Sequence, residues 1–190
     1  MTVIGVAGCT GLLVVGFGIK DSVRDVVVIQ YNRIFNYNYT IQLENDLHVD
    51  ENVDVLKADV SNETVVPFMS YSSAAYKDNE ELDSITIEVM DTGEALEILD
   101  LRKTDKKTIL NLRNSGVIVS EKYAKNHKLK KGDTITVESY NGVKADVIIA
   151  DICEMYFQHY LFMSDDYYNK TFNEKVHDTS IAVKSFDVES

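Results

Sequence analysis

Few side chains in this chain have types and spacings suited to chemistry. The histidines are His48, His127, His159 and His177, and no two stand four apart, as two metal ligands on one helix face would. Cys9 and Cys153 each lack a cysteine or histidine within three positions, so neither belongs to a zinc motif. There is no GxSxG elbow to raise a serine nucleophile and no GxxxxGK loop to cradle a nucleotide's phosphates. Asp50, Asn52 and Asp54 begin like a calcium loop, but Val55 replaces the glycine on which that loop turns and Ser61 replaces its bidentate glutamate. Gly5, Gly8 and Gly11 match a GxxGxxG variant of the dinucleotide-binding turn, the basis of an alternative reading as an NAD(P)-binding enzyme. Only Val3 and Ile4 precede that turn, too little for the strand it must follow. These residues predict no catalytic centre, no metal site and no cofactor.

Recognition of a partner is the other chemistry open to them. Tyr156, Phe157, His159 and Tyr160 form an aromatic cluster that a partner surface would use, although aromatics at strand spacing also serve as core. Arg102, Lys103, Lys106 and Lys107 read as an exposed turn, with an acidic partner as the alternative. The chain as a whole carries 31 acidic and 19 basic residues, a net of −12. That balance argues against nucleic-acid binding and against docking on anionic lipid.

The element that must position everything else is the uncharged run from Thr2 to Ile19. As a helix, eighteen such residues extend roughly 27 Å, close to the thickness of a bilayer's hydrocarbon layer. Five of the nine glycines fall in this run. At helical spacing Gly5, Cys9 and Gly16 share one face, and Ala7, Gly11 and Gly18 share the opposite one. Small residues let helices approach closely in lipid, so the run predicts a transmembrane helix packed between other helices. No basic residue precedes it and no small-x-small cleavage site follows, which argues against a secretory signal. Residues 20–37 predict an amphipathic stalk helix with Val23, Val26, Val27, Gln30 and Ile34 along one side.

Beyond the stalk the pattern is α+β, a mixed or antiparallel sheet with short helices, over residues 38–190. Strands are expected at residues 38–43, 64–71, 84–90, 117–119, 134–137, 144–152, 155–164 and 179–183, and residues 44–54 as a solvated loop or short helix. A short helix is expected within residues 93–100. Ser120 is placed to cap a helix carrying Tyr123 and Ala124 inward, Gly132 to turn the chain, and Asn141-Gly142 to close a hairpin as a type I′ turn. Ser164 is placed to cap a last helix through Phe172. Cys9 and Cys153 lie in settings too different for a disulfide.

Three segments carry a resemblance to a known family: the apolar run leading into GFGIKDSV, GVIVSEKYAKNHKLKKGDTI from Gly116, and HYLFMS from His159 followed by a tyrosine-rich helix. Together they resemble the FtsX-like permeases of ABC transporters, with an extracytoplasmic domain of the MacB periplasmic-core type. The resemblance implies a membrane subunit with several spans, paired with a separate cytoplasmic ATPase whose action works the outer domain. It implies a domain outside the cell membrane that acts on an extracellular protein, peptide, lipid or cell-wall partner, and that is not an enzyme. The alternative from another class is a membrane-anchored sensing or binding module acting without an ATPase. The chain departs from the family pattern by ending at Ser190 before a second span, and residues 44–61 align poorly with the helix expected there.

Overall fold

The computed structural model describes Gly11, Leu12, Val14, Val15, Phe17, Ile19 and residues 30–43, 49–59 and 62–186. The six described positions between 11 and 19 are helical with exposed side chains. Gly5, Ala7, Cys9, Gly16 and Gly18 lie outside the described residues, as does the stalk before Gln30. Among the described residues, no helix is long and apolar enough to cross a membrane.

Ten strands form one mixed sheet, and their alternation of side chains explains how it is buried. They are β1 (Tyr39–Gln42), β2 (Asn62–Ser73), β3 (Ala75–Lys77), β4 (Glu80–Glu81) and β5 (Ile85–Met90). After these come β6 (Val117–Ser120), β7 (Thr134–Glu138), β8 (Lys144–Cys153), β9 (Tyr160–Ser164) and β10 (Ser180–Ser185). The spatial order is β1-β10-β2-β5-β9-β6-β8-β7-β3-β4. Neighbours are antiparallel except β5 with β9 and β6 with β8. Four α-helices punctuate the sheet: α1 (Val49–Ala58), α2 (Ala95–Ile98), α3 (Glu121–Asn126) and α4 (Asp165–Phe172).

Every residue of β6 and β9 is buried, because successive side chains enter different cores. Val117, Val119, Leu161 and Met163 join one core with Tyr123 of α3 and with Tyr168 and Phe172 of α4. Ile118, Tyr160 and Phe162 join the other, with Ile34, Phe35 and the α2 residues Ala95 and Ile98. Central strands covered on both faces give up the polar alternation expected of a half-solvated strand. A third, smaller cluster packs Val53 of α1 against Val65, Ile181 and Val183 at the β1 edge.

Several local expectations are corrected. The aromatic segment 155–164 is not one strand: it is irregular up to His159 and extended only from Tyr160. Gln158, at φ 63°, reverses the chain there. The described end of the stalk, Gln30–Ile34, is a π-turn closed by Phe35 N–H donating to the Gln30 carbonyl at 3.1 Å, and it does not reach residue 37. Ser120 occupies the N-cap position of α3 without capping it, because its hydroxyl instead accepts the Tyr160 N–H at 3.1 Å. Ser164 does cap α4, accepting from the Tyr167 N–H. In the β7–β8 hairpin only Gly142 has a positive φ, 83°. The loop is therefore three residues with a glycine bulge rather than a type I′ pair. β8 is central but two-faced, burying Val147 and Ile149 while Ile148 is exposed.

Candidate coupling junction

Where residues 30–36 join the folded domain, two polar side chains engage one loop. Gln30 is fully buried, and a buried carboxamide must satisfy both of its ends. Its Nε2 donates to the Phe157 carbonyl at 3.0 Å. Its Oε1 accepts from the Phe157 N–H at 2.6 Å and from the Tyr156 N–H at 3.2 Å. The side chain thus grips the backbone of the loop 154–159 as a neighbouring strand would, and the left-handed turn at Gln158 presents those amides to it.

One turn on, Arg33 reaches the same loop. Its guanidinium meets the Glu154 carboxylate at 2.6 Å, where the Glu154 side chain is only 3% exposed. Lys106 approaches the other carboxylate oxygen at 3.4 Å, and the Tyr156 hydroxyl donates to that oxygen as well. Lys106 Nζ in turn donates to the Tyr156 oxygen at 3.2 Å. That hydrogen bond, reinforced by the charges of the Tyr156 and Glu154 oxygens, raises the lysine's pKa. A carboxylate this deep is tolerable only with such partners, and removing one leaves an uncompensated buried charge. The Arg33 Nε is itself buried without a partner.

The apolar half of the junction faces the second core. Phe35 bridges Leu99 and sets its ring 5.7 Å from Tyr37 and 5.5 Å from Tyr160, the latter edge-on. Backbone bonds from Asn36 to the Ile98 carbonyl and from Asp100 to the Ile34 carbonyl close the seam. Residues 30–36 are therefore held on one side by the loop leading into β9 and on the other by the segment that follows α2. The arrangement contains no nucleophile–base pair, and among the described residues no group of three or more His, Cys, Asp or Glu is placed to hold a metal. Its contacts hold residues 30–36 against the domain.

The aromatic residues singled out in the sequence divide on this geometry. Tyr156 and Phe157 belong to the junction, and Tyr160 is core beneath it. Phe157 exposes its ring while its backbone is clamped. His159 is turned away: its ring lies 5.2 Å from Tyr123, whose other neighbour is His127 at 4.6 Å. Tyr123 donates to the Asp83 carbonyl, and His127 meets the Asp83 carboxylate at 3.1 Å. Two histidines far apart in sequence thus flank one tyrosine, an arrangement no linear spacing shows. Of the small-residue faces only Gly11 is described, and the space beyond it is open.

Gln30, Arg33, Glu154 and Lys106 were not recognised as a set from sequence. Two signals were present: a lone glutamine in an otherwise aliphatic helical stripe, and a lone glutamate between apolar neighbours in CEMYF.

Comparison with known proteins agrees with this architecture. The family described as MacB-like periplasmic core domain matches residues 2–189. Among solved structures, the extracellular domain of the noncanonic ABC-type transporter YknZ from Gram-positive bacteria aligns with a TM-score of 0.52 at 14% identity, covering 78% of this chain and 83% of that one. The periplasmic region of MacB from Actinobacillus actinomycetemcomitans aligns with a TM-score of 0.52 at 17% identity, covering 84% and 80%. At these identities the two structures speak to the fold. No curated protein matches the chain.

Proposed function

This chain belongs to the MacB-like periplasmic core domain family, the extracytoplasmic domain of FtsX-like ABC-transporter permeases, and from that premise we propose that it passes mechanical work from a cytoplasmic ATPase to a partner outside the membrane. The observation that carries the proposal is the grip of Gln30 and Arg33 on the 154–159 loop. A domain that merely hung from an anchor would need such contacts only for its own stability. A domain that must move with its membrane helix needs a joint that does not slip. The junction reaches β9, which lies in the middle of the sheet between β5 and β6, so a pull on residues 30–36 is delivered to the centre of the domain.

On this reading residues 2–19 are the membrane span and 20–37 the stalk, and the partner ATPase acts through further helices of the permease. Gly5, Cys9 and Gly16 on one face, and Ala7, Gly11 and Gly18 on the other, are the surfaces on which those helices pack. The work done outside is export, extraction or signalling on a peptide, lipid or cell-wall partner, with no chemical step in this domain.

Affinity purification of the full-length permease from membranes tests the reading. A stoichiometric ATPase subunit is expected to accompany it, and Gly11→Leu with Gly16→Leu is expected to disrupt that assembly. A permease that is fully functional alone, with both leucine variants unimpaired, would overturn the proposal in favour of a stand-alone membrane-anchored sensor.

A further inference from the structure

The charge of this protein is unevenly distributed. Residues 101–131 hold ten of its 19 basic residues and two of its 31 acidic ones, a net of +8, which leaves −20 for the remainder. Three of these cations, Lys125, Lys128 and Lys130, line one groove. The two ends of the 102–109 hairpin pair with each other, and Lys103 also bridges Cys153 at the end of β8. Lys103 and Lys131 approach the same Asp151 carboxylate, at 3.7 and 2.8 Å, which brings the hairpin beside the turn that follows α3.

Between them lies an open groove of about 280 Å³. Its floor is Ala124, Leu129 and Ile152, and its rim carries Lys125, Lys128 and Lys130. The one acid on its wall, Glu121, is already neutralised by Lys125 at 2.6 Å. Lys128 and Lys130 make no ion pair among the described residues, and both are exposed. Unpaired lysines around an apolar floor favour an occupant that brings both carboxylates and apolar side chains.

We propose that this groove docks an acidic, apolar-bearing peptide segment of an extracytoplasmic partner protein. The carboxylates of the segment meet Lys128 and Lys130, and its aliphatic side chains cover Ala124, Leu129 and Ile152. A bare polyanion would leave the floor uncovered, and a flat anionic membrane would meet the −20 carried by the rest of the chain. The hairpin that walls the groove also carries Lys106, which contacts Glu154 at the junction, so the docked segment sits one element away from the coupling path. The assignment itself rests on the groove's own chemistry and not on that path.

Fluorescence anisotropy on the full chain in a neutral detergent tests it, with a fluorescein-labelled peptide of alternating glutamate and leucine as the probe. Saturable binding is expected at low salt, weakened at physiological ionic strength. Lys128→Glu with Lys130→Glu should weaken it by roughly tenfold, as reversal of two facing charges does. Lys170→Glu with Lys175→Glu should leave it unchanged, and a glutamate–serine peptide should bind at least several-fold more weakly. Circular dichroism melts check that the variants remain folded. The proposal fails if the peptide does not bind, if the Lys128 and Lys130 reversals have no effect, or if the serine peptide binds equally well. It also fails if those two lysines instead govern sedimentation with phosphatidylglycerol vesicles, or self-association of the chain.

Discussion

Glu88 is the clearest single-residue liability in this domain. It lies on β5 opposite Ser70 and Phe162, on the face it shares with Met90, and burial pushes its carboxyl up to about 8. The folded protein therefore holds it neutral at pH 7, while the unfolded chain releases its proton near the ordinary carboxylate value. Its contribution is fully favourable below that ordinary value, and is lost as pH rises through the window up to about 8. Glu88→Gln should stabilise the fold by about 1–3 kcal/mol at pH 8 and far less at pH 4, read from urea melts at the two pH values. His159 has the opposite sign. Burial, helped by Lys122, lowers its pKa below the ordinary imidazole value, so its stabilising contribution is present above pH 6.5 and falls away in acid. Burial also pushes the Cys153 thiol up to about 12, so almost no thiolate forms at neutral pH. In a Cys9→Ser background, Cys153 should resist iodoacetamide at pH 8 until denaturant is added, and rapid native-state alkylation would contradict its burial.

At the scale of elements, the start of β6 is the most constrained position. A Cβ on Gly116 would stand 2.5 Å from the Ile148 carbonyl oxygen and 2.9 Å from the Ala150 Cβ, both on the neighbouring β8. Gly116→Ala must therefore push β6 and β8 apart, and should cost more than about 2 kcal/mol in chemical denaturation. Much of this level was legible in the sequence because it is encoded locally. The GVIVS strand, the α3 helix with Tyr123 and Ala124 inward, Gly132 and the Ser164 cap depend on near neighbours, and the structure has them. What was not legible depends on distant partners. Ser120 looked like a cap, yet its hydroxyl is taken by Tyr160, forty residues away in sequence. Met155–His159 looked extended because its residues favour strands, yet a buried glutamine more than 120 residues upstream holds it as a loop. The π-turn at Gln30–Ile34 likewise faces distant partners: Gln30 and Arg33 meet one loop while Phe35 faces Leu99 and Tyr160.

Across the described molecule, the junction links residues 30–36 to the centre of a ten-stranded sheet. Family membership was readable because its signature segments include locally encoded elements, the strand and helix from Gly116 and the Ser164-capped helix that follows β9. The junction was not, since no linear spacing relates Gln30 to Phe157 or Arg33 to Glu154. Loss of Gln30 leaves the Phe157 and Tyr156 backbone groups without their partner, a cost of about 1–3 kcal/mol that the rest of a two-core domain can absorb. A Gln30→Ala variant can therefore be folded and yet uncoupled. The most direct measurement is hydrogen–deuterium exchange of residues 153–160 in the purified permease–ATPase complex, with and without ATP. ATP is expected to change protection of this loop in the wild-type complex and to leave it unchanged in Gln30→Ala, with ATP hydrolysis preserved in both. An ATP response of the same size in the variant, or none in the wild type, would contradict the claim that force enters the domain through this joint.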